Sequence, residues 1–383
     1  MRCLTVTNTA DVIIIGSGIV GNATAYELAK RGKQVLVLEK YGNIGDGASS
    51  RNGAGVRLGS RVAPESWLAA KAIRDIWPTL GEELDADLEY QKPGALTLAH
   101  TEAQRKACAG AMAKNQAAGV KSYLIDGKQA REICPYLSDY VEQAVWCPED
   151  GYANPMMTTL AYYRAARRLG VRFITGENVV ALEKVRGQVR RVITQAGSVY
   201  EGEKIVLAAG FNSRRIAKTV GIWIPFLKRV DECIVTEVQP TMFATRISCA
   251  DGNFYGHQTR HGSFIFGGNT NLERYEECYD DKPMNTNKQA SDKCRIIGQF
   301  VPALKNAKVV RQWAGWLDSM VDRLPIIQEP DEVPGLVLAC GFSGHGFAIG
   351  PAVGLVVSQM VLGEPVCVDV SSLTYDRFKP SGC

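Results

Sequence analysis

Apolar and polar residues follow two distinct patterns in the first forty positions of the chain. Residues 12–15 and 35–38 are short, wholly apolar runs, which is the pattern of parallel strands buried on both faces. Between them, residues 22–31 carry apolar side chains at helical spacing, and Gly32 follows as a helix stop signal. The stretch therefore predicts a strand, a helix and a second, parallel strand.

The same two patterns predict elements along the rest of the chain. Helical spacing and stop signals predict helices over residues 65–77, 102–119, 126–134, 155–169 and 352–362, and a charged helical region that ends near residue 300. Apolar runs and alternating patterns predict strands over residues 96–99, 171–175, 179–184, 189–194, 204–210, 234–238, 252–257, 263–268, 309–317 and 336–339. Strands dominate the centre of the chain.

Three glycines join the first predicted strand to the first helix. Gly16, Gly18 and Gly21 have the spacing G-x-G-x-x-G, and Glu39 closes the second strand. The first glycine permits a tight turn, the second lets the backbone approach a pyrophosphate, and the third lets helix and strand pack closely. The helix N-terminus attracts the anion, and the acid accepts hydrogen bonds from a ribose but repels a 2′-phosphate. The stretch predicts a site for FAD or NAD rather than NADP, with a turn of some other α/β domain as the alternative.

Glycine-rich segments recur after other predicted strands. Residues 41–61 are rich in Gly, Ser and Asn, residues 204–210 end in Ala-Ala-Gly, and residues 341–351 read GFSGHGFAIGP. Small residues at the carboxyl end of a strand allow a ligand to approach the backbone closely. We therefore expect these segments to surround the nucleotide, although residues 41–61 are also compatible with a flexible surface loop.

A chain of 383 residues is long for a single core, so we predict two domains. Glycine-rich segments lie at both ends of the chain, so one of these domains is predicted to combine segments from both ends. The predicted fold is of the α/β class, with a Rossmann-like nucleotide-binding domain built from separated segments, residues 1–85, 148–230 and 310–383. An α+β substrate-binding domain with a mostly antiparallel sheet is inserted into it and takes residues 86–147 and 231–309.

Composition argues against several classes of function. The net charge is only +4 and no basic stripe with interleaved aromatic residues is present, which argues against a nucleic-acid partner. Eleven cysteines without a C-x-x-C motif and only four histidines argue against a zinc, iron–sulfur or other metal site. The number of cysteines is odd, and the N-terminal stretch is too short and polar for a secretory signal. Both features predict a reducing, cytoplasmic location. No apolar run reaches the ~20 residues of a membrane span.

Six motifs together carry a family resemblance. They are GSGIVG at 16–21 with Glu39, SSRNGAG at 49–55, VLAAG at 206–210, WAG at 313–315, DRLPII at 322–327, and GFSGHG at 341–346 followed by Gly350 and Pro351. With these motifs spread over nearly its whole length, the chain resembles the D-amino-acid oxidase superfamily of flavoproteins, which includes glycine and sarcosine oxidases. It is similar above all to the FAD-carrying β subunits of multisubunit amine dehydrogenases such as opine oxidase, D-hydroxyproline dehydrogenase and hydrogen cyanide synthase.

The resemblance implies FAD as the cofactor of the Rossmann-like domain and assigns residues to it. The implied cofactor contacts are Gly16, Gly18, Ile19, Val20, Gly21, Glu39, Lys40, Ser49, Ser50, Arg51, Asn52, Gly53, Val179, Ala209, Gly210, Gly315, Gly341, Gly344, His345, Gly346 and Phe347. Val179 would contact the adenine through its backbone, and Gly315 and the turn at residues 344–346 would lie along the isoalloxazine. His345 is expected to stabilise its glycine turn rather than act as a base. A helix starting near Gly350 would aim its N-terminus at the flavin edge that becomes negative on reduction.

Departures from the family pattern refine these expectations. Gly315 stands where some members attach FAD through a cysteine, and Pro155 stands near the position of a histidine that bonds FMN in heterotetrameric sarcosine oxidase. We therefore expect non-covalent FAD, and non-covalent FMN if a second flavin lies at a subunit interface. Leu317 and Gly344 stand in the positions of the carboxylate-binding arginines of glycine oxidases. Ile265 replaces the flavin-facing lysine linked to oxygen reactivity in monomeric sarcosine oxidases, so a dehydrogenase is expected.

The implied reaction is oxidation of a C–H bond next to an amine, with hydride transfer to the flavin and hydrolysis of the imine product. The expected substrate is a secondary or N-substituted amino acid of the opine, proline, hydroxyproline or sarcosine type. We expect the chain to act as the catalytic subunit of a heteromeric complex, with companion subunits for electron transfer. A stand-alone, oxygen-using D-amino-acid or glycine oxidase is the alternative, and a non-catalytic or NAD-using module is a third class.

The substrate side of the site has few candidate residues. By the same resemblance, Tyr255 and His257 lie in a segment where relatives place substrate-facing groups, and Asn269 matches a substrate-side histidine of sarcosine oxidases. An arginine offers a carboxylate a planar fork of donors, and the candidates are Arg57, Arg61 and Arg260. For each of the three taken singly, a solvated or phosphate-facing arginine is the favoured interpretation.

Overall fold

A computed structural model of the chain describes residues 6–274, 283–285 and 287–379, and of these it leaves out the side chains of residues 6–7, 228, 269–274 and 287–289. In chain order, the strands are β1 (Val6–Ile15), β2 (Val35–Glu39), β3 (Gly55–Val56), β4 (Ala95–Ala99), β5 (Tyr123–Asp126), β6 (Gln143–Cys147), β7 (Gly151–Tyr152), β8 (Arg172–Thr175), β9 (Val179–Val185), β10 (Gln188–Thr194), β11 (Val199–Leu207), β12 (Phe226–Val238), β13 (Arg246–Cys249), β14 (Tyr255–Gln258), β15 (Ser263–Arg274), β16 (Val309–Met320), β17 (Ile326–Gln328) and β18 (Leu336–Cys340). The helices are α1 (Ile19–Lys30), α2 (Glu65–Ala70), α3 (Trp77–Leu84), α4 (Glu102–Ala117), α5 (Gly127–Ile133), α6 (Pro155–Arg168), α7 (Ser213–Lys218), α8 (Asn287–Phe300) and α9 (Gly346–Leu362). A π-helical segment, Lys71–Ile76, joins α2 to α3.

The first sheet is built around β1 and β2. Across the described residues its strand order is β17–β18–β11–β1–β2–β8, and the β9–β10 hairpin extends from β11. β1 pairs in parallel with β11 on one side and β2 on the other. Ile13 and Ile14 of β1 are fully buried because both faces of the sheet are covered. Since β11 and β18 are parallel too, the carboxyl ends of these central strands meet at one edge.

Helices α1 and α9 pack closely against each other on one face of this sheet. A Cβ atom added at Gly354 of α9 would lie 2.5 Å from the Cβ of Ala23 in α1. A Cβ added at Gly350 would lie 2.8 Å from the Cγ1 of Ile19. Packed atoms do not approach so closely, so these glycines set the distance between the helices. Ile19 and Gly350 lie near the starts of their helices, and the two N-termini are therefore neighbours.

The second sheet is mostly antiparallel. Within the described ranges its order is β16–β12–β15–β14–β13–β4–β6–β5, and the β13–β4 pair is parallel. Its core is rich in phenylalanine, including Phe254, Phe264, Phe266 and Phe300. The long strands β12 and β16 stay in register from the pair Phe226 and Met320 to the pair Val235 and Arg311, and residues 316–318 of β16 reach the cavity at the edge of the first sheet.

The predicted α/β architecture is confirmed: a Rossmann-like domain is assembled from separated segments, and the intervening segments build a mostly antiparallel sheet. The first sheet draws its strands from residues 6–39, 172–207 and 326–340, and the second from residues 95–147 and 226–320. The boundaries proposed for the two domains remain predictions.

Several element boundaries differ from those that the sequence predicts. The start of α9 near Gly350 is wrong, because the helix begins at Gly346 and Pro351 lies in its second turn. Because proline is favoured in the first turn of a helix, Pro351 predicts a start near residue 350, which is later than the observed start. β5, β6 and β13 are absent from the predicted strands, because each is only four or five residues long and carries polar residues.

No helix among the described residues combines the length and the apolar character needed to cross a membrane.

Candidate active site

A cavity runs along the carboxyl edge of the first sheet and reaches β16 of the second sheet. The predicted cofactor residues that line it are Gly16, Gly18, Ile19, Val20, Glu39, Lys40, Ser49, Arg51, Asn52, Val179, Ala209, Gly210, Gly344, Gly346 and Phe347. The other predicted cofactor residues do not line it; these are Gly21, Ser50, Gly53, Gly315, Gly341 and His345. All of them lie in segments that adjoin the cavity wall, and the assignments remain predictions.

The glycine turn after β1 forms one end of the cavity. Gly16 has a φ of +104°, and a Cβ added there would lie 2.5 Å from the carbonyl oxygen of Ala208. A Cβ at Gly21 would lie 2.0 Å from the carbonyl oxygen of Gly16. Helix α1 has Gly18 as its N-cap, which has no side chain to cap it, so N–H groups of the first turn are left for an anion. One of them, the N–H of Ile19, donates to Ser49 Oγ at 2.9 Å.

Glu39 is a buried carboxylate beside this turn. The N–H of Ser17 donates to Oε2 at 2.8 Å, and the N–H of Tyr41 donates to Oε1 at 2.9 Å. Burial nevertheless raises the pKa of Glu39, since it outweighs these two bonds. Each oxygen keeps a lone pair toward the cavity, which suits the two hydroxyls of a ribose.

Arg51 ties the glycine-rich loop to β16. Its Nη2 donates to Asp46 Oδ1 at 3.0 Å, and its Nη1 donates to the carbonyl of Ala314 at 3.4 Å. In return, the indole N–H of Trp313 donates to the carbonyl of Arg51 at 3.0 Å. A Cβ added at Gly315 would lie 3.1 Å from the Cβ of Arg51, so Gly315 packs against this loop. The loop is thus fixed between the nucleotide end and the far end of the cavity.

The far end of the cavity is mostly apolar. Trp316 and Leu317 of β16 line it together with Phe342 and Phe347, which flank the glycine turn before α9. The indole N–H of Trp77 donates to the carbonyl of Ala348 at 2.8 Å and holds the first turn of α9 in place. No side chain caps α9, so its first-turn N–H groups face the same region and favour negative charge there.

The ring of His345 contacts α2 and does not line the cavity. Its Nδ1 lies 2.8 Å from Glu65 Oε1, and Glu65 also pairs with the buried Arg61. Burial alone would raise the pKa of Glu65, but Arg61 and His345 outweigh it and lower the pKa to about 2. Burial and Arg61 lower the pKa of His345 to about 4, so the ring is neutral at pH 7. The triad anchors the glycine turn to α2 and occupies Arg61.

Asp318 is a cavity residue that sequence reasoning missed. It follows Leu317 on β16, is 8% exposed, and accepts a hydrogen bond from the N–H of Gly341 at 2.8 Å. Burial raises the pKa of its carboxyl to about 6 despite that bond. The only signal in the sequence is an acid one residue after the apolar pair at 316–317. The carboxylate helps to hold the turn that leads into α9.

The cavity fits FAD. The glycine turn leaves space that a Cβ would fill, an uncapped helix N-terminus suits the pyrophosphate, and the buried carboxylate suits the ribose. The apolar far end, beside a second uncapped helix N-terminus, suits a ring that gains negative charge when it is reduced.

The predicted substrate residues divide into two groups. Tyr255 and His257 lie on β14, Tyr255 is close enough to Arg57 to feel its charge, and a Cβ added at Gly53 would lie 2.3 Å from the ring of Tyr255. Arg260 lies apart from them, because it is half-exposed and pairs with Asp87 at 2.6 Å and Glu89 at 3.4 Å. The side chain of Asn269 lies outside the described residues.

A further arginine joins the first group and was not predicted. Arg246, the first residue of β13, is 3% exposed, and its guanidinium carbon lies 5.2 Å from the centre of the Tyr255 ring. The sequence gives a weak signal only, an arginine at the start of a four-residue strand whose burial depends on distant segments.

The comparisons with known proteins agree with this geometry. A family profile described as FAD dependent oxidoreductase matches residues 11–360. The beta chain of the sarcosine oxidase from Arthrobacter sp is 26% identical over 377 residues, covering 96% of this chain and 91% of that protein. An opine oxidase subunit from Agrobacterium tumefaciens strain Ach5 is 26% identical over 385 residues, covering 96% of this chain and 97% of that protein. Among solved structures, L-proline dehydrogenase from P. horikoshii has a TM-score of 0.87 at 28% identity and covers 97% of this chain and 98% of its own.

Proposed function

Because the chain belongs to the family of FAD-dependent oxidoreductases, we propose that it oxidises the C–N bond of an amino acid whose nitrogen carries a second carbon substituent. The relatives support this class, since they are named for sarcosine, opines and L-proline. The nitrogen of each of these compounds bears two carbon substituents. The observation that carries the proposal is a nucleotide cavity whose wall at residues 51–52 continues into Gly55, which packs against Arg246, a buried arginine without a carboxylate partner.

FAD, when bound, supplies the acceptor for the hydride of the C–H bond next to the nitrogen. The residues implied to hold it are the glycine turn, Glu39 and the loop around Arg51. Trp316, Leu317 and Phe347 exclude water from the far end of the cavity. The first-turn N–H groups of α9 stabilise negative charge that develops there.

The substrate amine must lose its ammonium proton before a hydride can leave, and His257 supports this step by staying neutral. Burial, followed by the charge of Arg246, lowers the pKa of His257 to about 3. Its ring stacks on Tyr152 at 3.9 Å between centres, and its Nδ1 has no partner in the described structure. A neutral imidazole would add no positive charge beside a substrate amine that reaches Nδ1, and it would offer that amine a hydrogen bond.

We propose further that the electrons leave through an external acceptor, so that the chain is a dehydrogenase. Ile265 lies opposite His257 in the β14–β15 register, where no lysine assists oxygen reduction. The relatives named as subunits support a companion chain as the route for these electrons. An FMN at the boundary with such a chain would be held without a covalent bond.

Anaerobic reduction of the flavin by a panel of amino acids tests the proposed function. The panel contains sarcosine, proline, hydroxyproline, octopine, nopaline, glycine and free D-amino acids. We expect bleaching of the flavin spectrum by one of the N-substituted compounds, at a rate well above that with glycine or a D-amino acid. Bleaching by primary amino acids alone would contradict the proposed substrate class and support the alternative oxidase.

A further inference from the structure

Arg246 is a buried cation that the fold itself does not neutralise. It is 3% exposed, its Nε–H has no acceptor, and its side chain forms no ion pair in the part of the chain that the structure describes. Burial, with Arg57 as the second cause, lowers its pKa to about 10, which still leaves it charged at pH 7. An unpaired charge in the interior costs several kcal/mol. Such a residue is therefore a candidate for ligand binding.

The guanidinium of Arg246 is held in a fixed position. Its positive charge lies over the Tyr255 ring, at 5.2 Å from the ring centre. On another side is Gly55, where an added Cβ would lie 3.0 Å from Nε and 3.2 Å from Nη2 of Arg246. Any larger residue at position 55 would thus displace the guanidinium. The contacts with the Tyr255 ring and with Gly55 orient the guanidinium but accept no hydrogen bond from its N–H donors.

A second cation acts on Arg246, and the acid whose charge attracts it already accepts backbone hydrogen bonds. Arg57 is the first charge that lowers the pKa of Arg246, and its own side chain has no hydrogen bond or ion pair with a described residue. The charge of Asp150 attracts Arg246, but the two form no hydrogen bond or ion pair, and Asp150 Oδ1 accepts from the N–H of Leu58 at 2.7 Å and of Gly59 at 3.2 Å. The cluster of Arg57, Arg246 and Asp150 therefore has one excess positive charge.

The cluster lies against the segment that forms one wall of the cavity. Arg51 and Asn52 line the cavity, and the next residues, Gly53 and Gly55, touch Tyr255 and Arg246. At the far end of the cavity, Leu317 and Gly344 provide no positive charge. Among the arginines predicted for the substrate, Arg61 is neutralised by Glu65 and Arg260 by Asp87.

We propose that Arg246, with Arg57 beside it, binds the carboxylate of the substrate. This inference rests on the proposed function, which makes the substrate an amino acid. One excess positive charge matches the single negative charge of an amino acid that has lost its ammonium proton. Arg246 therefore selects substrates that carry one carboxylate next to the reacting C–N bond, of the sarcosine or proline kind, over dicarboxylates.

Binding of a carboxylate that cannot be oxidised tests this role in the FAD-loaded protein. N-acetylglycine keeps the carboxylate but has an amide nitrogen, and its methyl ester removes the charge. We expect N-acetylglycine to perturb the flavin spectrum of the wild type, and the ester to bind at least ~10-fold more weakly. In Arg246→Met the affinity for N-acetylglycine should fall ~10- to 100-fold and approach that for the ester. Arg246→Lys should recover part of the loss.

Two further measurements keep the test decisive. Arg164→Met, which changes an exposed arginine on α6, should bind N-acetylglycine as the wild type does. Arg246→Met should unfold at the same temperature as the wild type or at a higher one, because it removes an unpaired buried charge. A purely structural arginine would instead leave the variant less stable with its affinity unchanged.

The outcomes separate this inference from the proposed function. Unchanged binding in Arg246→Met, with a wild type that amino acids still reduce, would overturn the role of Arg246 and leave the function standing. Binding that depends on Arg246 in a protein that no amino acid reduces would support the carboxylate site and overturn the proposed reaction.

Discussion

Glu39 and Arg246 are two buried charged residues that differ in their hydrogen-bond partners. Glu39 receives hydrogen bonds from the N–H groups of Ser17 and Tyr41, so both of its oxygens are engaged before any ligand is present. Arg246 has no acceptor for its Nε–H. A carboxylate with donors in place is held ready for a neutral partner such as a ribose, whereas an unpaired guanidinium requires an anion.

Replacing Glu39 tests the nucleotide end of the cavity. In Glu39→Gln the side chain keeps one acceptor oxygen, and its NH2 group meets one of the two backbone N–H donors. We expect the dissociation constant for FAD to rise about 10-fold, since one charge-assisted hydrogen bond is lost and one donor is left unpaired. Fluorescence titration of the flavin-free protein measures this constant. Glu203→Gln, a change at an exposed acid, is the control, and equal affinities in the two variants would refute the assignment.

The buried histidine on β14 predicts a loss of stability in mild acid. The pKa of His257 in the folded protein is lowered to about 3, far below its ordinary value, because of burial and then Arg246. The unfolded chain therefore takes up a proton below pH ~6.5 that the folded chain does not, and stability falls as the pH falls. By pH 5 the contribution of His257 should be about 2 kcal/mol.

Urea unfolding at pH 7 and pH 5 measures that contribution. His257→Gln should lose about 2 kcal/mol less than the wild type between these two pH values. His261→Gln is the matched control, since the side chain of His261 is 73% exposed, and it should behave as the wild type does. An equal loss in the His257 variant and the wild type would contradict the account.

At the scale of elements, the first βαβ unit could be predicted from sequence because its signals are local. Three glycines, one acid and two apolar runs lie within about thirty residues, and each has a single structural reason. Arg246 could not be found in this way. Tyr255 lies on the next strand, but Gly55 comes from a distant position in the chain, so the burial of Arg246 and its lack of a partner exist only in the folded protein.

The two helices beside the cavity offer a test by paired glycine substitutions. Gly354→Ala in α9 would place a Cβ 2.5 Å from Ala23 and push α9 away from α1, so we expect a loss of ~1–3 kcal/mol of stability and weaker FAD binding. Gly110→Ala in α4 meets nothing within 4 Å and should stabilise the protein by ~0.5–1 kcal/mol. Thermal unfolding of both variants checks the signs. A Gly354 variant as stable as the wild type would show that the helices are not held by this contact.

At the scale of the whole molecule, β16 connects the two sheets. It pairs with β12 along nearly its whole length, and its residues 316–318 line the cavity that the first sheet opens. The predicted nucleotide residues at the ends of β1 and β2 belong to the first sheet, whereas Tyr255, His257 and Arg246 lie on the second. The two sheets are therefore physically linked through β16 and through the loop of Arg51, which hydrogen-bonds to it.

The choice of electron acceptor is a property of this assembled site. Because Ile265 and not a lysine lies opposite His257, superoxide formed at the flavin would lose the stabilisation that a lysine at this position provides. We expect turnover with an artificial dye acceptor to exceed turnover with oxygen by about 100-fold or more. Parallel assays of dye reduction and hydrogen peroxide, with one substrate, measure the ratio. Rapid peroxide formation by the isolated chain would favour the stand-alone oxidase.

A single-turnover experiment tests the central claim, that this cavity holds FAD which oxidises the C–N bond of an N-substituted amino acid. The FAD-loaded protein is mixed without oxygen with a limiting amount of the best substrate from the panel, and the reduced flavin and the oxidised product are both quantified. The account predicts that one flavin is bleached for each imine, or carbonyl product of its hydrolysis, that forms. Protein that binds no flavin, or flavin whose spectrum no N-substituted amino acid changes, would contradict it.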